Sequence, residues 1–179
     1  LYNGPVLKYG APRCDALYGD REKKKKEFRE IHKLPLESKL VMFAPTFREG
    51  SVNGKRTVFS EIWSLDFKRL LKNLTERFGG DWYICLRVHP QLADKMSGYK
   101  DSELGSRIIN ESKADDMYEI LAAMDMFITD YSSAAMDACL CKMPVYLYAD
   151  DIEQYTKDRG SLLWNLSSDT SKPVTNNKV

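Results

Sequence analysis

The segment Thr129-Asp130-Tyr131-Ser132-Ser133 lies between a short apolar run, 126–129, and a stretch of helical periodicity that begins at Ser132. A strand-to-helix junction of this kind presents unpaired backbone N–H groups, the positive end of a helix dipole and hydroxyls, a combination that cradles phosphate or pyrophosphate. Read alone, Ser132 is also an ordinary helix N-cap, and the two roles are compatible. Arg87 and His89 are two residues apart at the end of another apolar run and share one face of a strand, so a guanidinium and an imidazole face the same anion. A histidine beside a proline, here Pro90, is more often a structural residue. Arg48 opens a stretch to Arg56 without apolar period, which reads either as a flexible basic loop that closes over a phosphate or as solvated surface. Arg159-Gly160, after a short helical stretch, carries the same two readings. His32, late in a Lys/Glu-rich helix, reads as solvated and takes no role.

The elements that must position these groups follow from hydrophobic period. Runs suited to strands are 6–9, 40–44, 82–88, 107–109, 126–129 and 145–148, several of them apolar throughout, as in strands buried on both faces. Between them, Phe67, Leu70, Leu71, Leu74 and Phe78 form one stripe of a helix over 66–78 that Gly79-Gly80 ends. Further helices are expected over 116–124, 132–141 and 151–157, with a charged one over 20–33 whose thin apolar edge is Phe28 and Ile31. This alternation predicts an α/β fold, a Rossmann-like parallel sheet with helices on both faces. In such sheets ligands bind outside the carboxyl ends of the strands, so the polar groups of Pro45–Arg48, His89-Pro90, Asp130–Ser133 and Ala149-Asp150-Asp151, each directly after a strand, are expected to converge on one rim.

Composition narrows the function classes. The 179 residues suffice for one core, and 27 Lys and Arg against 26 Asp and Glu give a formal charge of +1, so any anion site is local. The run Lys23–Lys26 is interleaved with Glu22, Glu27 and Glu30 and forms no single basic face, which counts against nucleic acid. No apolar run approaches the ~20 residues needed to span a bilayer. The four cysteines lack C-x-x-C spacing and read as reduced thiols in or near the core, as in a cytoplasmic protein. Two histidines without cysteines at ligand spacing imply no zinc; no acidic cluster demands another metal, and no G-x-G-x-x-G or G-K-S/T loop indicates a nucleotide cofactor.

In order along the chain, Gly10-Ala11-Pro12-Arg13-Cys14-Asp15, Phe43-Ala44-Pro45-Thr46-Phe47-Arg48, Arg87-Val88-His89-Pro90, the block from Asp116-Met117-Tyr118 through Asp125 and Ile128–Ser133 to Asp137, and Tyr155 with Arg159-Gly160 resemble motifs of the CDP-glycerol glycerophosphotransferase family. The resemblance runs from Gly10 to Gly160, with Cys14 standing where the family pattern has Asn. It implies the carboxy-terminal half of a GT-B architecture: a unit over 1–166 that binds CDP-glycerol, a polar segment over 167–179, and an amino-terminal acceptor domain outside this chain. Both ends read as cuts in a longer protein. The implied reaction moves glycerol phosphate to a teichoic-acid-like, lipid-linked polymer with release of CMP, in a cytoplasmic protein held peripherally at the inner face of the membrane. This chain alone is expected to bind donor weakly and turn over little or nothing.

On that resemblance Thr129, Ser132 and Ser133 hold the donor phosphates, with Arg48 and Arg159 balancing charge. His89 is either general base or pyrophosphate ligand. Asp137 either holds ribose hydroxyls or answers the helix dipole, and Arg13, Arg87 and Asp130 are supporting residues. Two alternatives stand beside this reading, a nucleotide-sugar glycosyltransferase donor domain and a nucleotide-binding module without catalysis.

Overall fold

The computed structural model describes residues 3–5, 8–46, 48–52, 55–59, 64–88 and 105–160. Strands β1 (Lys39–Phe43), β4 (Trp82–Leu86), β5 (Ile108–Asn110), β6 (Met126–Thr129) and β7 (Val145–Leu147) form one parallel sheet in the order β5-β4-β1-β6-β7. A second ladder pairs β2 (Arg48–Val52) with β3 (Lys55–Phe59) antiparallel. The helices are α1 (Asp15–Tyr18), α2 (Arg21–Ile31), α3 (Phe67–Phe78), α4 (Met117–Ala122), α5 (Ala134–Leu140) and α6 (Ile152–Arg159).

Strand period two explains why helices cover both faces. Leu40 and Met42 of β1 pack on one side with Phe28, Leu121 and Ala138, while Val41 and Phe43 pack on the other with Phe67, Leu71 and Leu74 of α3. Full burial of each such side chain contributes about 1.5–3 kcal/mol, so one strand serves two cores. Helix α3 begins where the Asp66 carboxylate accepts from the Arg69 amide at 3.0 Å, and it ends at Gly79, whose φ of 64° favours glycine.

The sheet order defines where a ligand belongs. From central β1 the chain runs outward to β4 and β5, then returns to lay β6 and β7 on the other side. The switch point lies between the carboxyl ends of β1 and β6, where strand connections diverge and leave a crevice.

Five expected strands are present within a residue or two. Of the expected strand 6–9, Val6 and Leu7 lie outside the described residues, while Lys8 and exposed Tyr9 join no ladder. The expected boundary at 166/167 also lies outside them. The loop expected after Arg48 is instead the β2–β3 hairpin, with Arg48 opposite Phe59 and Val52 opposite Lys55. Cross-strand hydrogen bonding supplies what apolar period did not, and the intervening Asn53-Gly54 is a strong short-range hairpin signal. Ile31 is exposed, so the apolar edge of α2 reduces to Phe28. His32 is not solvated as expected: its ring centroid lies 4.3 Å from that of Phe28, and Nε2 is 3.1 Å from Glu111 Oε1. Cys14 and Cys85 are buried, but Cys139 is exposed because it falls on the outer face of α5. Among the described residues no helix is long and apolar enough to cross a membrane, and no group of three His, Cys, Asp or Glu could hold a metal ion.

Candidate functional site

The residues after β1 and β6 meet at the switch point. Thr129 closes β6, and its fully buried hydroxyl donates to the Ala44 carbonyl at 2.7 Å. The hydroxyl expected to hold a phosphate is thereby used to join the two strand ends, because no solvent-facing direction is left to it. Asp130 is also buried, with Oδ1 accepting from the amides of Thr46 at 2.8 Å and Tyr131 at 2.6 Å. A short carboxylate placed there ties both loops of the crevice together.

Arg48 projects from the start of β2 into the same crevice. Its Nε and Nη2 each donate at 2.8 Å to the two oxygens of Asp151, a bidentate fork, and Nη1 donates to the Thr46 carbonyl. Nη1 also lies 2.9 Å from Asp130 Oδ2, close enough for an ion pair although the N–H does not aim at that oxygen. Tyr131 Oη donates to Asp151 Oδ1 at 2.9 Å, and its ring stacks on Tyr155 of α6 with centroids 3.8 Å apart. The guanidinium carbon lies 4.8 and 4.9 Å from the Tyr131 and Tyr155 centroids, beside the stacked pair.

Burial alone would lower the Arg48 pKa, but the Asp151 hydrogen bonds and the charges of Asp130 and Asp151 outweigh it and raise the value. Burial would raise the Asp151 carboxyl, and hydrogen bonds from Arg48 and Tyr131 outweigh it and hold it below the usual carboxylate range. The Tyr131 phenol is raised, by burial first and by Asp151 second. Arg48, expected as a free cation for donor phosphates, is therefore already matched by two carboxylates.

A second cluster lies on the flank of α5. Asp137 Oδ2 accepts from Tyr118 Oη at 2.6 Å and Arg13 Nε at 2.9 Å. These two hydrogen bonds outweigh burial and lower the Asp137 pKa, while burial and Asp137 push Tyr118 up to about 12. Arg13 and Tyr118 thus both engage Asp137 Oδ2, one of the two oxygens expected to face a ribose or the helix dipole.

The serines differ from each other. Ser132 Oγ accepts from the Ala134 amide at 3.2 Å, whereas Ser133 is the N-cap residue of α5, is exposed, and makes no side-chain capping bond. Arg87 sends Nη1 to the Glu111 carbonyl, and the next amide, Val88, donates to Ser112 Oγ at 3.0 Å, so this strand end is pinned to the β5 side. His89 lies outside the described residues, and Arg159 is described by its backbone alone, as the last residue of α6. The roles of Asp151, Tyr131, Tyr155 and Tyr118 were not read from the sequence. The available signal was position in a segment directly after a strand for Tyr131 and Asp151, whereas Tyr118 and Tyr155 lie inside helices and carried no such signal.

Comparison with known proteins places the chain in a family. Residues 1–178 match the family described as CDP-glycerol:poly(glycerophosphate) glycerophosphotransferase. The teichoic acid poly(glycerol phosphate) polymerase of Staphylococcus epidermidis is 31% identical over 173 residues, covering 94% of this chain and 23% of the relative. The teichoic acid ribitol-phosphate primase of Bacillus spizizenii is 29% identical over 156 residues, covering 86% of this chain and 37% of the relative. A solved structure of a variant of the wall teichoic acid polymerase TagF, soaked with CDPG, superposes with a TM-score of 0.70 at 30% identity, covering 96% of this chain and 39% of that one. The chain therefore spans a quarter to two fifths of the length of these relatives.

Proposed function

The chain belongs to the CDP-glycerol:poly(glycerophosphate) glycerophosphotransferase family, and from that premise we propose that it is the donor-binding domain of an enzyme transferring glycerol phosphate from CDP-glycerol to a growing polyol-phosphate polymer. The observation that carries this reading is the position of Asp130–Ser133: the segment occupies the switch point of a parallel sheet, with the exposed, uncapped hydroxyl of Ser133 at its outer edge. Ser132, Ser133 and the adjoining amides receive the pyrophosphate. An acceptor hydroxyl attacks the β-phosphorus, the bond from that phosphorus to the bridging oxygen breaks, and CMP leaves with the electron pair. His89 serves this step either as base for the acceptor proton or as ligand to the leaving phosphate, and Arg159 adds positive charge. The acceptor is lipid-linked, and the complete protein works peripherally at the inner membrane face.

Similarity to a ribitol-phosphate primase favours a second reading of the donor, with a cytidine-diphosphate-linked ribitol in place of glycerol. Isothermal titration of this chain with CDP-glycerol, the ribitol analogue, CMP and UDP-N-acetylglucosamine separates these. Cytidine ligands are expected to bind, and Ser133→Ala is expected to weaken them about ten- to a hundredfold, the worth of one hydrogen bond to a charged group. A preference for the uridine ligand would overturn the reading.

A further inference from the structure

We infer that Asp151, Tyr131 and Tyr155 are positioning residues that hold Arg48 as an internal clamp on the β2–β3 hairpin, and that Arg48 is not itself a ligand of the donor phosphates. This rests on the transferase reading above.

Each of the three guanidinium nitrogens of Arg48 donates to a protein acceptor, which uses three of its N–H groups. A guanidinium offers five N–H groups. Nε and Nη2 serve Asp151, and Nη1 serves the Thr46 carbonyl while facing Asp130. The cluster counts one positive and two negative side chains, so it presents net negative charge to an incoming pyrophosphate. Its partners come from separate places in the chain: Asp130 from the end of β6, Asp151 from the N-cap of α6, and the Tyr131–Tyr155 stack from the β6 loop and α6 itself. One planar fork therefore fixes the hairpin relative to the phosphate-facing loop that carries Ser132 and Ser133. Such positioning counts because a displacement of about 1 Å at a reacting group costs up to about a hundredfold in rate.

The two roles of Arg48 predict opposite outcomes for Asp151→Asn. If Arg48 binds phosphate, removing its carboxylate partner frees the cation and lowers the donor KM. If Arg48 is a clamp, the fork is lost, kcat falls and the donor KM stays nearly constant. The test is CMP release from CDP-glycerol, with a glycerol-phosphate polymer supplied as acceptor, by the full-length protein carrying Asp151→Asn, Arg48→Lys or both, together with backbone hydrogen exchange of 48–52 and 55–59. The expected result is a fall in kcat of about tenfold or more for each single variant, with KM within about threefold, no rescue by lysine because it lacks the planar fork, and a double variant no worse than either single. Exchange in the hairpin should quicken at least about tenfold. A lowered donor KM in Asp151→Asn, or unchanged kcat and exchange, would overturn the inference. If Asp151→Asn does not fold, Tyr131→Phe removes one hydrogen bond to the same carboxylate and is expected to shift kcat and exchange in the same direction by a few-fold. If the unaltered protein releases no CMP, the transferase reading fails while hydrogen exchange still decides the clamp.

Discussion

Two arginines sit among carboxylates at opposite ends of the sheet, and they are used differently. At the amino end, Arg29 of α2 is buried, donates through Nε and Nη2 to the Ser38 carbonyl at 2.9 and 2.6 Å and through Nη1 to the Lys25 carbonyl at 3.0 Å, and meets a single acid, Asp125, at 3.1 Å. Asp125 also accepts from the Leu40 amide at 2.9 Å and pairs with Lys25 at 3.0 Å. At the carboxyl end, Arg48 is only partly buried, meets two acids and lies beside an aromatic stack. Main-chain carbonyls around Arg29 make it part of the scaffold; side chains from separate loops around Arg48 make it a device that sets one loop against another. Pairing alone does not reveal a functional arginine. What distinguishes the two is which chain segments the partners belong to and at which end of the strands they lie.

The sharpest way to break this contrast is Arg29→Ala. Removing a buried cation leaves Asp125 and two carbonyls short of donors, and a loss of roughly 3–5 kcal/mol in urea-unfolding free energy is expected. Nucleotide affinity at a temperature where the variant is folded should be unchanged. An affinity loss with intact stability would erase the distinction between the two ends.

Thr129→Val tests whether the carboxyl end contains scaffold as well as site. The buried Ala44 carbonyl loses its donor, at about 1–3 kcal/mol, whereas Thr129→Ser keeps the hydroxyl and should recover most of that stability. Donor titration should be the same for both once folded. A selective fall in affinity for the valine variant would return Thr129 to the phosphate site.

The smallest effect expected is in acid. Asp137 and Asp151 are held below their usual pKa, so each stabilises the fold above its unfolded value of about 3.9 and loses that contribution as pH falls through the lowered folded value. Stability followed by urea midpoints should therefore decline below about pH 4, and Asp137→Asn combined with Asp151→Asn should flatten that decline while leaving the slope between pH 6 and 8 unchanged. An unflattened decline would mean that the acid limb arises elsewhere.

Much of the scaffold was legible because strands buried on both faces are continuous apolar runs and α3 has a clean apolar stripe. The hairpin was not, since its pattern resides in the pairing of two strands and in Asn53-Gly54 rather than in either strand's hydrophobicity. The site was half legible. Ser132, Ser133 and Asp130 follow from their place between a strand and a helix, but the partners of Arg48 are 82 and 103 residues away along the chain, Asp130 and Asp151.

The amino-acid order by itself thus determined the α/β class, the strand ends where ligands belong and the family, because hydrophobic period and motif order are local properties. Tertiary structure alone decided which charges are open and which are matched. Only once strands distant in sequence lay side by side did Thr129 prove to be spent on the Ala44 carbonyl, Arg48 to be clamped and Asp137 to be shared by Arg13 and Tyr118. A side chain's availability depends on what the fold brings within about 3 Å of it, a distance that no spacing along the chain encodes.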